Sequence, residues 1–147
     1  MAVKTPQPAS DAAKTALAHV ENTLDPIIFP DSRVLLLGSM PSPKSREIGF
    51  YFGNPQNRFW RVVAALYGEK PLTSISEKID FCKRHHLALC DVLKACDIKG
   101  ASDASIANPV PHNIGALIQD SSICAIFTLG GTATKFYKRY TEQQTGI

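Results

Sequence analysis

Residues 34–60 read VLLLGSMPSPKSREIGFYFGNPQNRFW, and the fold follows from how this stretch divides. Val34 to Leu37 form a short apolar run closed by Gly38. Such a run, ended by glycine, reads as a strand buried on both faces of a parallel sheet. Ser39-Met40-Pro41-Ser42-Pro43 reads as a stiff turn, because each proline fixes its own φ and restrains the residue before it. Phe50, Tyr51 and Phe52 follow. Adjacent side chains of an extended segment point to opposite sides, so at least one of these rings belongs near the surface or a pocket. Asn54 reads as a helix N-cap and Pro55 as the first helical residue. Asn57 then lies in the opening turn, near the positive end of the helix dipole.

In open α/β sheets the ligand crevice lies beyond the carboxyl ends of the strands. The stretch brings flat rings, amide side chains and a helix start to that place. The set suits a planar, hydrogen-bonding ligand such as a nucleobase. A group that becomes anionic, such as a departing base, is stabilised at a helix start. The same residues also have plainer readings: Asn54 as a cap, Asn57 as a second cap or turn amide, the aromatics as core. Lys44, Ser45 and Arg46 sit on the intervening loop, either solvated or touching phosphates.

Working outward, Met1 to Ala9 reads as a tail. The apolar spacing of Ala13, Ala16, Leu17, Val20 and Leu24 predicts a helix from Asp11. The helix bearing Phe59 and Trp60 runs to Gly68, a favoured stop. Ser74 and Glu77 match a capping box, which predicts a helix ending near Arg84. Leu87–Val92 reads as the second strand. The polar segment from Asp97 to Asn113, with Gly100, Pro109 and Pro111, reads as a functional loop or lid. A short helix from Ile114 to Gln119 is capped by Asn113. Ile123–Leu129 is the third strand, and Gly130-Gly131 leads into a helix over 132–140. This alternation predicts an α/β fold, a three-layer α/β/α sandwich around a small parallel sheet. Thr128 to Thr132 resembles an anion-binding turn but matches neither the P-loop nor the dinucleotide pattern. Asp91, at the end of the second strand, and Asp103, in the polar segment beside Ser102 and Ser105, could each reach the crevice, but a structural hydrogen-bonding role is the better reading.

A chain of 147 residues, 44% apolar and 20% charged, suits one domain with its own core. The net charge of +3 permits nucleic-acid binding without demanding it. No window approaches the ~18 apolar residues of a membrane span, and the N-terminus lacks the apolar centre of a secretory signal. A cytoplasmic monomer of bacterial-type cytosol, with no membrane partner, is the expectation. Cys82, Cys90, Cys96 and Cys124 form no C-x-x-C pair, and the four histidines show no metal spacing. No metal or cofactor is expected, and Cys90 and Cys124 read as buried thiols.

Gly38-Ser39-Met40-Pro41-Ser42 followed by Tyr51-Phe52-Gly53-Asn54-Pro55-Gln56-Asn57-Arg58-Phe59-Trp60 resembles the uracil-DNA glycosylase superfamily, in particular its hypoxanthine-DNA glycosylase branch. Cys90 to Leu93, Gly100 to Ile106 and Ile126 to Thr128 look like later family segments. The resemblance implies hydrolysis, without a metal, of the N-glycosidic bond of a deaminated base in double-stranded DNA. Hypoxanthine is the first expectation, with uracil or xanthine as alternatives. It implies that Phe52 stacks on the base and Asn57 is catalytic. Gly38, Ser39, Met40, Pro41, Tyr51 and Asn54 are implied in substrate binding, and Ser42, Ser45 and Arg46 in DNA contact. Other branches carry Asn or Asp at the position of Met40 to orient the attacking water. A thioether cannot do that, which leaves the water-activating residue unassigned. The family pattern also continues into a further strand and a Pro/Ser-rich loop. The chain therefore reads as a tail and helix over 1–26, then a family domain over 27–147 lacking its last strand. The rival expectation is a catalytically inactive nucleic-acid or nucleotide-binding α/β module.

Overall fold

The structure, a computed structural model, describes residues 16–147. Its centre is a three-stranded parallel sheet in the order β3-β2-β6, built from β2 (Val34–Gly38), β3 (Leu87–Asp91) and β6 (Ala125–Thr128). Side chains alternate across β2 and β3. Leu35, Leu37, Ala88 and Cys90 enter one core cluster, with Ile114, Ile118 and Phe136. Val34, Leu36, Leu87 and Leu89 face the other, with Trp60, Val63, Phe81 and Cys82. Helical segments thus cover both faces, as the apolar runs predict.

Helices α2 (Phe59–Leu66) and α3 (Ile75–Arg84) pack on one face. On the other lie α4 (Ile114–Ile118) and α5 (Gly131–Phe136), the latter running on as a π-helical segment, Tyr137–Thr141. A last short helix, Glu142–Thr145, ends the chain's regular structure. The α3 cap forms as the sequence predicts, with Ser74 Oγ accepting from Glu77 N–H at 3.1 Å. The returning Glu77 carboxylate takes Thr73 N–H at 2.9 Å. Asn113 caps α4 through Ala116 N–H.

Four expectations are corrected. The N-terminal helix lies outside the described residues up to residue 15. Beyond it, β1 (Ala18–Glu21) is a strand, paired antiparallel with β4 (Leu93–Lys99). Alternating burial of Ala18 and Val20 satisfies it as well as helical spacing would. The polar stretch 97–113 is no loop: most of it is the hairpin of β4 and β5 (Ser102–Pro111), turning at Gly100-Ala101 with Gly100 at φ 55°. The prolines are tolerated because β5 is the outer strand of the sheet β1-β4-β5, where missing N–H donors break no inner ladder. Residues 43–48 form a short helix, α1 (Pro43–Ile48), rather than loop, because Ser42 caps it and Pro43 suits its first turn. The helix expected to open at Asn54-Pro55 begins only at Phe59. In addition, Cys124 is exposed where a buried thiol was expected, whereas Cys90 is buried.

Candidate functional site

The carboxyl ends of the parallel strands converge on one slot of about 210 Å³. At ~30 Å³ per water, that is room for about seven waters, the scale of a single heterocyclic base. Gly38 closes β2, Asp91 closes β3, and Leu129 follows β6; all three line it. Backbone bonds tie these ends together: Val92 N–H donates to Gly38 O at 2.8 Å, and Leu129 N–H to Leu37 O at 2.9 Å.

Nine of the residues singled out from sequence line this slot: Gly38, Ser39, Met40, Pro41, Ser42, Ser45, Tyr51, Phe52 and Asn57. Asn54 and Arg46 do not. Asn54 Oδ1 closes a local turn by accepting Gln56 N–H at 3.0 Å. Ser45 is only 4% exposed, and its hydroxyl accepts from Gly53 N–H at 3.2 Å and from Ser42 Oγ at 3.1 Å. Both bonds are accepted, so its O–H donor stays uncommitted, on a side chain that is nearly buried.

Phe52 is placed by its neighbours against backbone preference. Its φ is +52°, uncommon for any side-chain-bearing residue and costly for a bulky one. Phe59 backs it, ring centroids 4.0 Å apart. Tyr51 is nearly inaccessible and gives its carbonyl to Trp60 Nε1–H at 2.9 Å. Of the three adjacent aromatics, Phe50 and Tyr51 are buried and Phe52 is half-buried at the slot.

Asn57 is held in an Asx turn. Its Oδ1 accepts Phe59 N–H at 2.9 Å, and its backbone N–H donates to Asn54 O at 2.8 Å. A backbone N–H can only donate, so it fixes which end of the amide is oxygen. Nδ2 is left with two donors that no described residue engages.

Two carboxyl groups join the slot that sequence reading set aside as structural. Asp91 is 3% exposed on its floor. Asn22 Nδ2 donates to Oδ2 at 3.1 Å, while Oδ1 has no hydrogen-bond partner among the described residues. Burial pushes the Asp91 carboxyl up to about 7; the Asn22 bond opposes that shift and the charge of Asp103 adds to it. Asn22 itself is clamped, donating also to Leu93 O at 3.0 Å and accepting Leu24 N–H at 3.0 Å. Asp103, exposed on β5, accepts from Ser39 Oγ at 2.9 Å and so fastens the hairpin across the slot. The available signal was the position of Asp91 at a strand's carboxyl end, where crevices form. For Asp103 the signal was its place in a polar stretch that reads as a functional loop, although the hairpin itself was not foreseen. Among the described residues no group of three or more His, Cys, Asp or Glu side chains is disposed to hold a metal ion, and no helix is long and apolar enough to cross a membrane.

A parallel sheet whose strand ends meet at one slot defines an α/β protein with a crevice at the carboxyl ends of its strands. Residues 26–146 match the family model of the Uracil DNA glycosylase superfamily, and the chain belongs to that superfamily. It is 35% identical over 92 residues to a protein described as hypoxanthine DNA glycosylase from Methanosarcina acetivorans, covering 62% of this chain and 58% of the relative. A second so described, from Methanosarcina barkeri, is 36% identical over 83 residues, 55% of this chain and 52% of its own. The chain thus aligns with little more than half the length of these relatives. The fold is shared with the solution NMR structure of a candidate uracil DNA glycosylase from M. acetivorans. The TM-score is 0.71 at 22% identity, over 86% of this chain and 92% of that one.

Proposed function

We propose that the slot receives one deaminated base extruded from double-stranded DNA, and that the chain hydrolyses that base's N-glycosidic bond. Hypoxanthine is the leading substrate, in keeping with the descriptions of the two relatives. The observation that carries the reading is the shared slot of Phe52 and Asn57. A base inside a stacked duplex cannot present its glycosidic bond, so the nucleotide must leave the helix. The Phe52 ring, backed by Phe59, offers it a stacking surface. Asn57 Nδ2 donates to the base as negative charge grows on it, an interaction stronger in the transition state than before it.

The two carboxyl groups divide the remaining work. Asp91, buried and holding its proton toward neutral pH, donates from the floor to an acceptor on the base. Asp103, exposed at the mouth, orients the water that Met40 cannot. Water oxygen bonds to the sugar C1′ as the bond to the base nitrogen breaks. The base leaves with the bonding pair, a proton from the water passes to solvent or base, and an abasic site remains. Arg46 serves the DNA backbone, whereas the Ser42 hydroxyl is spent on Ser45.

The test is a duplex carrying one hypoxanthine, incubated with the chain and then treated with alkali. Strand cleavage that disappears in Asn57→Ala supports the reading. Binding without cleavage assigns the chain to a base-recognising module instead. Uracil and xanthine duplexes in parallel rank the substrates.

A further inference from the structure

Beside the slot runs a second, more open groove of about 450 Å³, and Phe52 and Asn57 line both. Its floor is apolar, with Pro55, Leu72 and Ile75; Ile75 is 41% exposed. Arg61 and Lys78 stand on its walls. Neither cation has an ion-pair partner among the described residues, whereas Lys44 and Arg84 are both paired. No acidic side chain lines the groove. Lys78 lies over the Trp60 ring, its Nζ 5.5 Å from the centroid. Burial lowers its pKa, so its charge is poorly solvated and gains from a counter-charge.

We infer that this groove seats the nucleotide adjoining the extruded one on the same DNA strand, its phosphate between Arg61 and Lys78 and its sugar on the apolar floor. The inference rests on the glycosylase reading of the slot. A strand whose base is stacked on Phe52 must continue past one side of that residue, and on the groove side it meets two cations without an acidic neighbour in the lining. An unpaired arginine and lysine fit a phosphodiester, and Pro55, Leu72 and Ile75 fit the less polar face of a deoxyribose. The chemistry is sequence-independent, since it reads backbone rather than base edges. The cations of α2 and α3 thereby join the DNA surface, although neither lies in the segment that carries the slot's own residues.

The experiment measures equilibrium binding of the chain to a duplex containing one hypoxanthine, as a function of salt. It is repeated with the phosphate on either side of the modified nucleotide replaced by an uncharged methylphosphonate. The wild-type chain is expected to lose affinity several-fold with the replacement on one side. Arg61→Gln with Lys78→Gln is expected to lower the slope of log K against log salt by about 1, at ~0.9 for the one phosphate contacted. That double variant is also expected to be insensitive to the same methylphosphonate. Arg61→Gln alone, at an exposed position, gives the effect at half size without disturbing Trp60. Wild-type slope and wild-type methylphosphonate sensitivity in both variants overturn the inference and leave the slot reading standing. A wild-type chain that neither binds nor cleaves the duplex removes both.

Discussion

A methyl group on Gly38 would sit 2.5 Å from Asp91 Oδ1, well inside contact distance. The floor of the slot is therefore built from the absence of one side chain and the presence of another, on adjacent parallel strands paired Gly38 to Asp91. Gly38→Ala should displace the carboxyl group or the strand end. An overpacked site of this kind costs roughly 1–3 kcal/mol. A displacement near 1 Å lowers excision on the order of 10²-fold. A thermal melt and a single-turnover excision assay read the two effects, and a fully active Gly38→Ala chain contradicts the placement of the floor.

The two ends of the Asn57 amide can be separated by substitution. Asn57→Ala removes both the acceptor for Phe59 N–H and the free Nδ2 donors; it should cost about 1 kcal/mol in stability and roughly 10²–10³ in kcat. Asn57→Asp keeps the acceptor and removes the donors. It should melt like the wild type while excising as poorly as Asn57→Ala. Equal activity of the Asp variant and the wild type shows that the amide only shapes the turn.

Asp91 predicts a pH-dependent stability. Its carboxyl is raised from 3.8 to about 7 in the folded chain. Between those values the folded chain keeps a proton that the unfolded chain has released. Stability therefore falls as pH rises through this window and levels off above about pH 7, a total of roughly 4 kcal/mol. Asp91→Asn should abolish most of that slope, gaining over the wild type at pH 8 and nothing below about pH 4. Urea midpoints across the window make the comparison, and parallel slopes for the two chains rule out the titration of Asp91.

Phe52→Ala should weaken binding of hypoxanthine-containing duplex by roughly 1–3 kcal/mol, the usual worth of one base–aromatic stack. Affinity for an undamaged duplex, which extrudes no base, should change far less. The difference between the two affinities is the informative quantity. A uniform loss on both points to collapse of the Phe52–Phe59 pair rather than to a missing stacking surface.

Asp103→Asn keeps a partner for Ser39 Oγ but removes the charge at the slot mouth. Excision should drop by roughly 10²–10⁴, the range of general acid–base assistance, with duplex affinity nearly unchanged. Single-turnover rates against fluorescence anisotropy separate these. An unaffected rate removes Asp103 from the handling of water.

The parallel sheet was legible because a strand buried on both faces must be a continuous apolar run, and Val34 to Leu37 and Leu87 to Cys90 are such runs; Ala125 to Phe127 is apolar too, although Phe127 stands 59% exposed. The Ser74 cap was legible because capping chemistry is local. The hairpin was not. Its strands expose one side, its pairing slips by bulges, and Pro109 and Pro111 sit where only an outer strand admits them. Asp103 was therefore placed on a loop rather than on a strand. Asp91 was read in sequence, but nothing in a sequence tells that Asn22, on a distant segment, takes one of its oxygens and leaves the other toward the slot. The turn at Asn54 to Asn57 was misread as a helix start because Asn-Pro suits both. The choice fell to the Asx bonds that postpone the helix to Phe59.

The central strand β2 is bonded to a neighbour on each side and covered on both faces, whereas the β4–β5 hairpin ends in a turn open to solvent. Amide hydrogen exchange should register that contrast as a gradient: deuterium enters the tip around Lys99 to Ser102 through small openings, and reaches Leu35 to Leu37 only when the whole molecule comes apart. On that expectation one wall of the crevice opens more readily than its base, to which it is held where Ser39 meets Asp103.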